Sequence, residues 1–291
     1  MKIAISTSNP PQDEVMALLS GCDVIINPYG RKLTEDEVIE HLQECLGLLA
    51  GLEMLNERVF SVCPELRVIA RVGVGVDNID FDAADRHGIL VSNTPDAPTY
   101  AVAEMTLAAL LTIARQIISS NVDVHAGTWK KHMGFSLRGC KILLVGYGRI
   151  AKEFERMIAP FRVEILRYDS FIECEPLNML LPKADVISLH ASGSEQIITC
   201  AELSSMKDGT VLLNAARGGL VDEDAVYDAL KNGKLAYYYA DTFSAEPYNG
   251  KLIELDNAIL TPHIATQTKL CRMGMETEAV NNLLRDLEKC K

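Results

Sequence analysis

The chain has 291 residues, 48% of them hydrophobic, with 28 Lys plus Arg against 40 Asp plus Glu and a formal charge of −12. That length suffices for two domains with sizeable cores, and the acidic excess argues against a nucleic-acid surface, which needs clustered basic residues. No run approaches 18 consecutive apolar residues, so no transmembrane helix is expected. The eight cysteines show neither Cys-x-x-Cys nor paired spacing, the pattern of reduced thiols in a cytoplasmic protein, and no metal site is expected.

Residues 2–6 read as a strand, without the n-region, h-region and cleavage site of a signal peptide. A helix is expected over Pro10–Leu19 and a strand over Asp23–Ile26. Thr34, with Glu37 in capping-box spacing, opens a helix that runs to Leu42. Cys45–Leu49 and Val68–Arg71 read as strands, Glu57–Val62 and Asp82–His87 as helices, and Leu90-Val91 as a short strand. Such alternation implies a small parallel sheet. Within it, Arg71-Val72-Gly73-Val74-Gly75-Val76-Asp77-Asn78-Ile79-Asp80 puts two glycines at a strand end, where exposed N–H groups can hold a carboxylate. From the residues alone, a glycine-rich crossover turn is the simpler account. After Pro95 and Pro98, a helix from Ala101 to about Ile118 is apolar on nearly all sides and is expected to be buried between domains. Val122–Phe135, with the only tryptophan, Trp129, reads as a loop or broken helix.

The branched aliphatics of Lys141–Val145 lead into Gly146-Tyr147-Gly148-Arg149-Ile150-Ala151, the layout of a buried parallel strand feeding a phosphate-binding turn. Gly146 allows the tight turn, Gly148 lets backbone approach a pyrophosphate, and Ala151 lets the next helix pack on the strand. The pyrophosphate would sit on the free N–H groups near Arg149. The pattern alone also fits a bare structural turn. A second strand over Val163–Tyr168 ends at Asp169, an acid able to accept from an adenosine ribose and to repel a 2′-phosphate, which favours NAD. Later strands are expected at Val186–Leu189, Val211–Asn214, Tyr237–Ala240 and Ala258–Leu260. Helices are expected at Ala201–Met206, Asp222–Lys231 and Gln267–Glu288. This is a second doubly wound sheet inserted into the first domain, with the chemistry expected in the cleft between them.

Three motifs follow the late strands: Asn214-Ala215-Ala216-Arg217-Gly218-Gly219, Asp241-Thr242-Phe243-Ser244-Ala245-Glu246-Pro247 and Thr261-Pro262-His263-Ile264-Ala265. An arginine at a strand end can hold a substrate carboxylate bidentately and polarise the adjacent carbonyl. A histidine can supply or remove the hydroxyl proton, and a carboxylate beside it would favour its charged form and orient it. Each has a bland alternative: Arg217 as a surface arginine, Glu246 as a solvated acid, His263 as a cap on the final helix. Three such groups at successive ends of a nucleotide-binding sheet argue for the reduction of a 2-keto acid.

On these motifs the chain resembles, over nearly its whole length, the D-2-hydroxyacid dehydrogenases, particularly the branch containing D-3-phosphoglycerate dehydrogenase. The resemblance implies an α/β fold of two doubly wound parallel-sheet domains. These are a flavodoxin-like substrate domain over residues 1–94 plus 267–291 and an inserted Rossmann NAD-binding domain over 95–266. It implies that Arg217 binds and polarises substrate and that His263, supported by Glu246, is the acid/base. Val74–Gly75 backbone would hold the substrate carboxylate, Asp241 the nicotinamide amide, and Asp169 the adenosine ribose. Further cofactor contacts are implied at Gly146, Gly148, Arg149, Ile150, His190, Ala215, Ala216, Arg217, His263 and Ala265. Dimers would pair through the nucleotide domain around Trp129; neither membrane nor nucleic acid is an expected partner.

The chain also departs from the family pattern. Ala151 replaces the third glycine, Pro98 stands for the usual Asn before the long helix, and Met105 follows Glu104 where His is frequent. The loop after His190 is shortened. Many phosphoglycerate dehydrogenases carry Arg at the position of Ala50, which removes one phosphate ligand, though Arg71 could still serve the phosphate. Serine-sensing domains of longer relatives are not expected. Tyr227 and Lys231 match the Tyr-x-x-x-Lys pair of short-chain dehydrogenases, but the glycine turn lies far from the N-terminus and the pair fits one exposed helix face. The remaining alternative is a dinucleotide-sensing binding protein or corepressor without turnover, whose extra tail segments have no counterpart here.

Overall fold

The computed structural model describes residues 1–193 and 195–290. Residue 194, in the shortened loop after His190, lies outside them. Two units result, Met1–Pro98 with Gln267–Lys291, and Thr99–Thr266. The first boundary therefore falls at Pro98, four residues beyond the expected one.

In the first unit β1 (Lys2–Ile5), α1 (Asp13–Met16), β2 (Asp23–Ile26), α2 (Glu35–His41), β3 (Gly47–Ala50), α3 (Glu57–Val62), β4 (Val68–Arg71), α4 (Phe81–Arg86) and β5 (Leu90–Ser92) alternate. The strands pair in parallel in the order β2-β1-β3-β4-β5, the flavodoxin-like order. α1 is shorter than expected: Pro10-Pro11 delays its start and it tightens into a 3₁₀ turn at Ala17–Leu19. α2 has the expected capping box, with Thr34 accepting from the Glu37 N–H and Glu37 accepting from the Thr34 N–H at 2.8 Å. Ala4, Leu48, Ala50 and Ile69 from the strands, with Val59 and Phe60 of α3, are fully or almost fully buried. Each large apolar side chain buried this way stabilises the fold by about 1.5–3 kcal/mol.

α5 (Ala97–Ala114), which lies in the second unit from Thr99 on, is followed there by α6 (Ile117–His125), β6 (Lys141–Val145), α7 (Arg149–Ile158), β7 (Glu164–Tyr168), α8 (Leu177–Leu180), β8 (Val186–Leu189), α9 (Cys200–Ser205), β9 (Thr210–Asn214), α10 (Glu223–Lys231), β10 (Leu235–Ala240) and β11 (Ala258–Leu260). The expected single helix to Ile118 is in fact two. Gln116 takes a left-handed φ of 53° and breaks the run, while its Oε1 accepts from the Tyr237 hydroxyl at 2.6 Å. α5 has the length and apolarity of a membrane span, but its Ala103, Leu110, Ile113 and Ala114 are buried against β6, α7 and β9 in the unit's own core.

The six strands are parallel in the order β11-β10-β9-β8-β6-β7. No further strand lies outside β7 among the described residues, so the sheet is narrower on that side than the Rossmann order 3-2-1-4-5-6, and the unpredicted α8 occupies that stretch of chain. The direction of winding still reverses between β6 and β8, the position where such sheets bind ligands at their carboxyl ends. Finally α11 (Lys269–Lys289), capped by Thr268 at 3.2 Å, packs on β3, β4 and β5 of the first unit.

Candidate active site

β9, β10 and β11 are neighbours, so the segments after Asn214, Ala240 and Leu260 emerge side by side. Asn214, wholly buried, shapes the first: its side chain donates to the Arg217 carbonyl at 2.9 Å and accepts from the Ala216 N–H at 3.1 Å. Gly218 rests against the Phe243 backbone with no space for a Cβ, which brings the Arg217 turn onto the Phe243–Glu246 segment. Arg217 is half-buried and donates from Nη1 to the Ala216 carbonyl at 2.8 Å.

Glu246 Oε1 accepts from the Phe243 N–H at 3.1 Å, and its Oε2 lies 3.0 Å from His263 Nδ1. Burial by itself would raise the Glu246 carboxyl. The hydrogen bond and charge of His263, the Phe243 N–H and the Arg217 charge outweigh it and hold the group below the ordinary carboxylate range. A carboxylate on Nδ1 fixes a donor there and leaves Nε2 as the nitrogen able to exchange a proton with a ligand. His263 is 44% exposed at its side chain, so that exchange needs no rearrangement of the core.

At the switch point, Gly146 has φ 87° and its Cβ position is filled by Ala191 backbone, so only glycine fits. Around the Cβ position of Gly148 the space is open, and Gly148 caps α7 without contributing a side-chain bond to its first turn. Ala151, Phe154 and Ile158 bury the inner face of that helix. Asp169 Oδ2 accepts from the Tyr147 N–H at 2.6 Å and Oδ1 from the Phe171 N–H at 2.9 Å, so the acid also clamps the glycine turn.

A family model described as D-isomer specific 2-hydroxyacid dehydrogenase, NAD binding domain, matches residues 107–265, more than half of the chain. The chain belongs to that family. It is 32% identical over 302 residues to a hydroxypyruvate reductase of Thermotoga maritima, covering 98% of this chain and 92% of that protein. It is 36% identical over 238 residues to a D-3-phosphoglycerate dehydrogenase of Archaeoglobus fulgidus, covering 76% of this chain. The matched regions take in only 45% of that dehydrogenase and 58% of the one from Methanocaldococcus jannaschii. The solved TT0316 protein from Thermus thermophilus superposes with a TM-score of 0.92 at 32% identity, over 99% of this chain and 97% of that one.

In this chain the residues present fit NAD. The glycine turn is open at Gly148, the first turn of α7 offers backbone N–H groups beside Arg149 and Ile150, and Asp169 stands at the end of β7. Ala215 and Ala265 are nearly buried and Ala216 half-buried, small residues that leave room beside the sheet edge.

Two of the expected cofactor residues make inward contacts. The His190 ring is turned inward, 2.9 Å from Ser188 Oγ and 5.5 Å from the Phe154 ring, and burial lowers its pKa to about 4. Its backbone, with that of Ala191, abuts Gly146 and so shapes the glycine turn. Asp241, read as a nicotinamide contact, has no exposed surface; its carboxylate is engaged by the His263 segment.

In the first unit no hydrogen bond among the described residues uses the N–H of Val74 or Gly75, which suits a carboxylate ligand. Asn93 Nδ2 donates to the Val74 carbonyl at 2.8 Å and Thr94 Oγ1 accepts from the Gly73 N–H at 2.7 Å, holding this turn in shape. Arg71 folds back on the Val72 carbonyl and across Gly73. One buried acid there escaped the sequence reading: Glu53, fully enclosed, accepts from Ser6 Oγ and from the Gly51 N–H. A lone Glu in an otherwise apolar stretch, Gly51-Leu52-Glu53-Met54-Leu55, was the available signal. Tyr227 and Lys231 lie outside the site: the tyrosine hydroxyl donates to Glu254 at 3.3 Å and Lys231 Nζ lies 5.3 Å from the ring.

Proposed function

We propose that this chain is an NAD-dependent oxidoreductase that interconverts a D-2-hydroxy acid and its 2-keto acid. The observation that carries this reading is the Glu246–His263 pair at 3.0 Å, set beside Arg217 at the carboxyl ends of β9 to β11. NAD, when bound, supplies the hydride to C2 in its reduced form and accepts it in the reverse direction. Arg217 binds the substrate carboxylate and draws electron density towards the carbonyl oxygen. His263 delivers a proton from Nε2 to that oxygen as it gains charge, or removes it in oxidation, while Glu246 supports the imidazolium.

The names of the relatives point to small substrates of the hydroxypyruvate, glyoxylate and 3-phosphohydroxypyruvate type. With NADH, at least one of these or 2-ketoglutarate is expected to be reduced, followed as loss of absorbance at the reduced-cofactor band. Binding of NADH with no oxidation by any of the four would overturn the reading. NADH should outperform NADPH, because Asp169 would repel a 2′-phosphate; a preference for NADPH removes that role.

The second unit also exposes a cluster of apolar side chains: Ile117, Val122 and Val124 of α6 are 53%, 58% and 54% exposed, and Trp129 and Met133 beyond it 84% and 93%. Such a set on one segment marks a protein contact, and its occupant is read as a second copy of this chain. The protein is expected to sediment at about twice its 32.0 kDa chain mass, and Trp129→Glu with Met133→Glu to yield the monomer. A wild-type monomer at micromolar concentration refutes the dimer. The cysteines form no disulfide, consistent with a reducing, cytoplasmic setting.

A further inference from the structure

Asp241 follows β10 directly and is wholly enclosed. Three donors converge on its carboxylate: Oδ1 accepts from Thr261 Oγ1 at 2.6 Å and from the Ile264 N–H at 2.9 Å, and Oδ2 accepts from the Ala265 N–H at 2.9 Å. All three belong to the segment that carries His263. Two of them are the backbone amides that come straight after it.

His263 itself has φ 53°, the left-handed region that a residue with a Cβ adopts only when its surroundings impose it. The turn is tightened by the His263 N–H, which donates to the Thr261 carbonyl at 2.9 Å. Thr261 is held in turn by its N–H on the Ala240 carbonyl at 2.9 Å and by the Tyr239 hydroxyl at 3.1 Å. A buried anion receiving two successive amides and a hydroxyl is well satisfied, and it rewards only the backbone path that presents those donors together. Asp241 also precedes Glu246 on the same short segment, so one residue sets where both partners of the acid–base pair begin.

We propose that Asp241 is a positioning residue: its carboxylate locks the left-handed turn at His263 and thereby aims the imidazole at Glu246 on one side and at substrate on the other. This rests on the dehydrogenase reading given above.

Asp241→Asn is nearly isosteric but places an N–H₂ against one of the two backbone donors, so it should release the turn without opening a cavity. The expected result is a fall in kcat of about 100-fold, the scale of a displaced catalytic group, with NADH affinity at wild-type level. In the His263→Ala background the same substitution should cost nothing further, since its effect passes through the imidazole. Hydrogen exchange of the apo protein supplies a readout independent of turnover: the Ile264 and Ala265 amides are protected in the wild type and should lose that protection in Asp241→Asn.

An unchanged kcat, a full additional loss in the double variant, or a drop in NADH affinity with kcat retained at saturation would each overturn the proposal. Retained protection of the two amides would do so as well. If the wild type reduces no 2-keto acid, the dehydrogenase reading falls, while the exchange measurement still decides whether Asp241 holds the turn. If Asp241→Asn fails to fold, Thr261→Val removes one of the three donors and keeps the carboxylate. It should then lower kcat by about 10-fold, again with no further loss on top of His263→Ala.

Discussion

His263→Ala is expected to lower kcat for 2-keto acid reduction by about 10²–10⁴-fold while NADH still binds, the range contributed by a positioned general acid. The geometry behind this is specific. Nδ1 is committed to Glu246 at 3.0 Å, so Nε2 is the nitrogen left to protonate the substrate oxygen, and alanine removes it altogether. Little stability should be lost, because the ring is partly exposed and the turn beneath it is held through the Ile264 and Ala265 amides, which the substitution leaves in place. Steady-state rates at saturating NADH, paired with a fluorescence titration of NADH, separate chemistry from binding. Equal turnover would take His263 out of the mechanism.

Arg217→Lys should reduce kcat/KM by about 10²–10³-fold although the charge is kept, comparable to the loss of one donor to a developing oxyanion. A planar fork can grip a carboxylate through two parallel bonds while one N–H polarises the neighbouring carbonyl; an ammonium offers one point of charge on a flexible stem. The Arg217 backbone is set by Asn214 and its neighbour Gly218 rests on Phe243, so a lysine would start from the same place and differ only at its head group. The loss should appear in KM as well as kcat, because the same side chain serves binding and polarisation. A variant within a few-fold of wild type in both would show that another group binds the carboxylate.

The sheets were largely legible, because parallel strands buried on both faces are runs of branched aliphatics such as Ile142-Leu143-Leu144-Val145 and Val211-Leu212-Leu213, bounded by glycine or polar residues. The glycine turn was legible for a related reason, since φ 87° at Gly146 and a backbone pressed against it admit no other residue. The helix break at Gln116 was not. The apolar pattern continues through Ile117-Ile118, and the residue at the break bonds a hydroxyl of Tyr237, far along the chain. Nor was α8 legible, since Leu177–Leu180 is a single turn followed by a proline-containing 3₁₀ turn, too short for any periodicity.

In the site, residue types at strand ends were enough to single out Arg217, Glu246 and His263. What binds their segments together was not apparent, because it consists of buried polar groups read from tertiary contacts alone. Asp241, Asn214 and His190 each turn inward to hold backbone or to pack, contacts that residue type at a strand end does not announce.

The borders of the two sheets carry a consequence for how the protein behaves at high concentration. An outermost strand presents unpaired N–H and C=O groups, and a long, flat one invites another chain to add on. Here the outer strands are β2 and β5 in one sheet and β11 and β7 in the other, none longer than the five residues of β7. β7 also carries Glu164 and Arg167, paired with Lys141 at 3.4 Å and with Glu155 at 2.5 Å. Borders this short, with charges on the longest of them, give a misregistered neighbour almost nothing to template on, which guards these two parallel sheets against amyloid-like stacking while their strands assemble.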